Sequence, residues 1–300
     1  MRAPTGQQFT ISHGSSSATI TEVAAGLREF TVDGVHIAEP FAEASVPPMG
    51  CGIVLVPWPN RVAGGAWLLN GKKQQLDLTD PGFLGASHGL LRNSPYRVVS
   101  HTDSAIELSA SVFPQHGYPF LLDTSVRYEL EGASLAVTHR IHNASDAAAP
   151  VAVGAHPYFR IGSVPTAELT LTVQGSTRFP LDEKLIPIDE VPVDGDYDLR
   201  GGRVLGDVDL NVALGGLPEG TTSSVLTAPD GRSVTVWQDE NFRFVQVYTP
   251  RNFPGPDGER HAVAIEPMTA APDALNNGKG LQWLDPGATF EACWGVRYDA

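Results

Sequence analysis

Short runs in which apolar and polar residues alternate recur along most of this chain, the clearest at 17–22, 28–32, 105–112, 123–130, 134–142, 168–174, 224–227, 233–237, 244–248, 262–265 and 290–298. A period of two is the spacing at which side chains on a strand return to one face of a sheet, so each run predicts a strand. Turn residues separate them: 31 glycines and 24 prolines are spread over the whole length and do not collect in one linker. Runs 123–130 and 134–142 flank Glu131-Gly132-Ala133 and predict a hairpin, although Leu135, Val137, His139 and Ile141 do not form one clean apolar set. No window long enough for a full helix carries an apolar stripe at helical spacing, so helices are expected to be few and short. Strands at intervals of roughly 8–12 residues point to an all-β fold, a large antiparallel β-sandwich or closed β architecture, and away from βαβ units. One domain over 1–300 is expected. The Asp/Glu/Pro/Gly-rich stretch 181–209 is read as a long surface excursion, because strands of the same kind resume after it.

A chain of 300 residues can bury a core sufficient for stability without disulfides or a structural metal. No apolar run approaches the roughly 20 residues of a membrane span. The formal charge of −14, from 34 acidic against 20 basic residues, repels phosphate backbones and anionic lipid, which argues against nucleic-acid and membrane partners. Cys51 and Cys293 are too few for a secreted disulfide framework, and the N-terminal MRAPTGQQFTISHGSSS lacks the apolar segment of a signal peptide. A cytoplasmic protein is expected.

Several motifs carry candidate chemistry, each with a plain structural alternative. Gly85-Ala86-Ser87-His88-Gly89 fits the G-x-S-x-G elbow of serine hydrolases, but a turn signal, Asn93-Ser94-Pro95, follows where the elbow needs a helix. No metal-ligand spacing is present: His139 and His142, three apart on a strand, point to opposite faces. His13, His36, His101, His116 and His261 sit in polar or turn-like contexts and are read as solvated. In VAVGAHPYF (151–159) an apolar strand ends at His156, pinned by a proline and walled by Tyr158 and Phe159; a core-edge histidine is the alternative. In AVAIEPM (262–268) Glu266 closes an apolar strand, where partial burial raises a carboxyl toward the range of a general base. The alternative pairs Glu266 with an arginine, for which Arg61 is available. Trp58, beside Asn60 and Arg61, suits sugar recognition.

Taken together, PNRVAGGAW (59–67), HGLLR (88–92), GAHPYF (154–159), VQVYT (245–249), EPMTAAPDALN (266–276) and the closing LDPGATFEACWGVRY (284–298) resemble, in order and over nearly the whole chain, the aldose 1-epimerase or galactose mutarotase family. The resemblance implies a galactose mutarotase-like supersandwich and an isomerase that exchanges the α and β anomers of an aldohexose such as glucose or galactose. It implies Glu266 as general base, His156 as general acid, and Arg61, His88 and Gln246 as substrate-binding residues. It implies no cofactor and no metal, with a small sugar as partner and a monomer or homodimer as the assembly. The family commonly carries a substrate-binding Asp in the segment that here reads DLNVAL (209–214); Asn211 aligns there, with Asp209 as the rival. An asparagine bonds a hydroxyl as donor or acceptor but brings no negative charge.

Other functions remain on the same residues. A hexose-6-phosphate 1-epimerase needs a basic cluster, for which Arg92 and Arg97 near His88 are candidates. A sandwich that binds carbohydrate without catalysis keeps the fold alone. A glycosidase needs a second carboxylate, Asp209 or Asp239.

Overall fold

The computed structural model describes residues 2–255 and 258–300, and within them every one of the eleven expected strands is present. Two large sheets dominate. A nine-stranded sheet runs, in spatial order, Arg97–His101, Ala105–Val112, Leu122–Glu131, Ser134–Asn143, Thr289–Asp299, Ser233–Gln238, Thr222–Thr227, Thr170–Val173 and Arg203–Val204. An eight-stranded sheet runs Val191–Pro192, Thr177–Phe179, Asn211–Gly215, Phe244–Tyr248, Val263–Met268, Gly154–Ala155 and Val54–Leu55, with Tyr158–Phe159 also paired to Val263–Met268. A four-stranded N-terminal sheet, Gln8–His13 to Val35–His36, adds its apolar face to the same core. All pairings between these strands are antiparallel. Among the described residues the only α-helix is the single turn Ala274–Asn277, and no helix is long and apolar enough to cross a membrane.

In the nine-stranded sheet the alternation is plain. Leu135, Val137 and Ile141 face the core with Trp294 and Val296 of the neighbouring strand, while Arg140 and Glu291 form an ion pair on the outer face. His139 belongs to the buried set after all: its Nε2 accepts a hydrogen bond from Trp294 Nε1 (3.1 Å), which removes the cost of a polar group in the core. The hairpin turn lies where expected, with Glu131 opposite Ser134.

The eight-stranded sheet is buried on both faces where it matters. Val245, Val247, Val263 and Ile265 enter the main core. Their alternates Phe244, Gln246, Tyr248, Ala264, Glu266 and Met268 occupy the opposite face, whose apolar members form two satellite clusters around Tyr158 and Phe179. Burial on two sides is why 262–268 reads as a continuous apolar run.

The stretch 181–209 is packed more closely than a surface excursion. Val193, Leu199, Leu205 and Val208 are buried in the main core. Its strand Val191–Pro192 closes one edge of the eight-stranded sheet, and Arg203–Val204 closes one edge of the nine-stranded sheet.

One turn presents the site from the side. His88 (φ 64°) and Gly89 (φ 72°) are consecutive left-handed residues, and a Cβ on Gly89 would fall 2.0 Å from the Val56 carbonyl oxygen. Gly89→Ala is therefore expected to destabilise the protein by about 2–4 kcal/mol, combining backbone strain with a backbone clash; denaturant unfolding monitored by circular dichroism measures it.

Candidate active site

Cross-strand register builds the site. Phe179 lies opposite Ala213, Ala213 opposite Gln246, and Gln246 opposite Glu266. On the far side of Val263–Met268, Gly154 pairs with Met268 and Tyr158 with Ala264, so His156, in the break between those two short strands, falls level with Glu266. Residues about 110 apart in sequence thus meet on one face: His156 Nε2 is 3.5 Å from Glu266 Oε1.

The imidazole is held from every side. The His156 N–H donates to Ile53 O (3.0 Å), and its carbonyl accepts from Gly52 N (2.8 Å). Tyr158 stacks on the ring at 5.3 Å and 24°, as its neighbourhood in sequence implied, and His88 meets it edge-on at 5.3 Å and 76°. Phe159 instead points into the main core.

A chain of amides borders the pair. Asn60 Nδ2 donates to Gln246 Oε1 (3.2 Å), and Gln246 Nε2 donates to Asn211 Oδ1 (2.9 Å). Asn60 Oδ1 in turn accepts the Arg61 N–H (2.8 Å). Asn211 is therefore the residue of the 209–214 segment drawn into this network, whereas Asp209 is exposed and its charge acts on Tyr248 and His261. Asn60 (φ 55°) is the member that sequence reasoning left out of the site, noting it only as a neighbour of Trp58. Its left-handed backbone, which asparagine tolerates, was the available signal.

Arg61 does not pair with Glu266. Its Nε donates to Asp80 Oδ2 (2.8 Å), and its guanidinium carbon lies 5.3 Å from the centre of the Phe83 ring. Trp58 is no sugar platform: it is buried in the main core against Tyr118, its indole N–H on Ala86 O (3.4 Å). Ser87 is buried at the end of its strand, opposite Arg61, and no helix follows it. Arg92 is half-buried beside the histidines, but Arg97 sits on the exposed outer strand of the nine-stranded sheet, so the two do not form a cluster. Asp239 accepts the Cys293 and Asn241 N–H groups at a turn of that sheet. His13, His101 and His116 are exposed, whereas His261 is half-buried, neither ring nitrogen hydrogen-bonded to the described residues.

Burial sets the protonation of the pair. Loss of water pushes the Glu266 carboxyl well above its ordinary range, against the opposing pull of Arg61. Burial likewise pushes His156 down to about 4, with Arg92 and Arg61 acting in the same direction, and holds His88 well below its usual value. Burial thus favours the neutral form of each partner, the protonated carboxyl of Glu266 and the unprotonated imidazole of His156. Among the described residues, buried Glu266 Oε2, His156 Nδ1 and His88 Nδ1 have no hydrogen-bond partner. A neutral pair that holds one movable proton, ringed by amides and a guanidinium, is suited to passing that proton to and from a polyol. Among the described residues no group of three or more His, Cys, Asp or Glu side chains is placed to hold a metal ion.

Residues 7–294 match the family model for aldose 1-epimerase. The chain belongs to the aldose 1-epimerase family. It is 30% identical over 284 residues to the Escherichia coli protein YihR, covering 94% of this chain and 90% of that one. It is 33% identical to human galactose mutarotase over 168 residues, which cover 51% of this chain and 47% of that enzyme. Among solved structures, an E. coli protein described as a putative aldose 1-epimerase superposes with a TM-score of 0.85 at 20% identity, covering 98% of this chain and 99% of that one. An aldose epimerase homologue from Caenorhabditis elegans gives 0.85 at 19% identity, covering 98% of each chain. These likenesses establish the galactose mutarotase-like all-β fold for this aldose 1-epimerase family member.

Its imidazole protonation is directly checkable. Nitrogen-edited NMR should find His156 neutral until the pH falls to about 4, and Arg92→Met should raise that midpoint by removing a charge that disfavours imidazolium. An ordinary midpoint near 6.5 would contradict the buried pair.

Proposed function

We propose that this chain interconverts the α and β anomers of an uncharged aldohexose, such as glucose or galactose, by general acid/base ring opening. The observation that carries the reading is the buried His156–Glu266 pair, an imidazole and a carboxyl 3.5 Å apart. Glu266 carboxylate takes the C1 hydroxyl proton, the bond from C1 to the ring oxygen breaks with its electrons going to that oxygen, and His156 imidazolium protonates it. C1 becomes an aldehyde. Rotation about the C1–C2 bond and closure on the other face run the transfers backwards. The proton count closes on these two groups and the sugar.

Opening leaves protonated Glu266 and neutral His156, the state that burial favours. The closed sugar must therefore draw the proton from Glu266 to His156 as it binds, which hydroxyl groups donating to the carboxylate oxygens promote. Asn60, Gln246, Asn211 and Arg61 supply donors and acceptors for the other hydroxyls. The 33% identity to human galactose mutarotase supports an aldohexose substrate.

A second reading, a hexose 6-phosphate, is favoured by Arg92, whose only hydrogen bond among the described residues is a long one to Ser87 O (3.4 Å). Two features weigh against it: Arg61 is already paired with Asp80, and Arg97 lies elsewhere.

Glu266→Gln and His156→Asn should each slow α-to-β glucose interconversion, followed by polarimetry, by about 10²–10⁴-fold with circular dichroism unchanged. A near-wild-type rate in either variant overturns the assignment, and a wild type that binds glucose yet leaves it at the spontaneous rate identifies a binding protein instead. The pH profile of kcat/KM should be a bell. Its acid limb lies near pH 4, where His156 takes a second proton onto the pair. Its alkaline limb lies above the ordinary carboxylate range, where Glu266 gives up the only one.

A further inference from the structure

Arg61 is built into its place by a loop that the reaction scheme does not use. The strand Arg61–Ala63 pairs with Gly85–Ser87, and the arginine's aliphatic stem runs past Gly85, where a Cβ would lie 3.6 Å from its Cγ and Cδ. Asp80 and Gly85 exchange backbone hydrogen bonds in both directions (3.0 and 3.1 Å), and Ser87 N donates to Thr79 Oγ1 (2.8 Å), so the loop's base is closed onto that strand. From this loop Asp80 takes the Nε edge of the guanidinium at 2.8 Å, and Phe83 covers one face. The outer N–H groups make no hydrogen bond to the described residues, so they are the donors left for a substrate.

The charge count around the site then turns on one carboxylate. Arg61 and Arg92 both bear on the site's histidines, and among the described residues Asp80 is the carboxylate paired with either of them. We propose that Asp80 is a specificity-determining residue that neutralises Arg61, so that this arginine recognises sugar hydroxyls by hydrogen bonding without drawing in anionic sugars. The inference rests on the sugar-epimerase reading above and adds the substrate's charge class.

The test compares kcat/KM for glucose and glucose 6-phosphate, together with their equilibrium binding by calorimetry, in wild type, Asp80→Asn and Asp80→Glu. Asparagine keeps an acceptor for Arg61 Nε and removes only the charge. The 6-phosphate to glucose ratio is expected to rise about tenfold in Asp80→Asn, the scale of one added charge in a partly buried site. The gain should shrink as salt is raised, and Asp80→Glu should keep the wild-type ratio. If Asp80→Asn loses activity toward both sugars equally, its role is structural and the proposal fails while the epimerase reading stands. A wild type that neither binds nor interconverts either sugar overturns both.

Discussion

The molecule is organised around the cost of placing a carboxylate on a sheet that is covered on both faces. Removing an ionised carboxyl from water without a close counter-ion costs several kcal/mol, and Arg61 is held by another carboxylate, so burial favours the protonated form of Glu266. That proton has one place to go within the pair, the imidazole level with it on the interrupted neighbouring strand. The break between Gly154–Ala155 and Tyr158–Phe159 is where that imidazole sits, its backbone hydrogen-bonded to Gly52 and Ile53. Among the described residues Glu266 Oε2, His156 Nδ1 and His88 Nδ1 are left for a ligand to engage. The long antiparallel sheets, with a core running from Phe9 to Tyr298, supply the stability that holds this arrangement.

Most of the architecture could be read from period-two alternation, because the nine-stranded sheet has one wet face and one dry one. Runs 105–112 and 244–248 match the observed strands residue for residue. His139 broke the apolar pattern only because the sequence does not reveal its partner, Trp294, which is 155 residues away. The acidic stretch 181–209 looked like solvent-exposed loop because its buried residues, Val193, Leu199, Leu205 and Val208, are too widely spaced to make a period.

The site was legible where a titratable residue ends an apolar run beside a proline, as His156 and Glu266 do. It was less so where the role depends on which partner a side chain chooses. Arg61 was open to Glu266 on charge alone and takes Asp80; Trp58 offered an aromatic face by proximity and is core; Asn60 joins through an amide 186 residues distant. Long-range pairing of this kind follows from strand register, which local pattern does not encode.

The margins of the sandwich have a further significance. The site-bearing sheet ends in Val191–Pro192, two residues of which one has no amide hydrogen, and the opposing sheet ends in the equally short Arg203–Val204. A foreign strand arriving there meets almost no ladder to extend. At these two edges the borders are poor templates, and the segment that supplies them both is anchored in the interior, so they cannot readily fray into better ones.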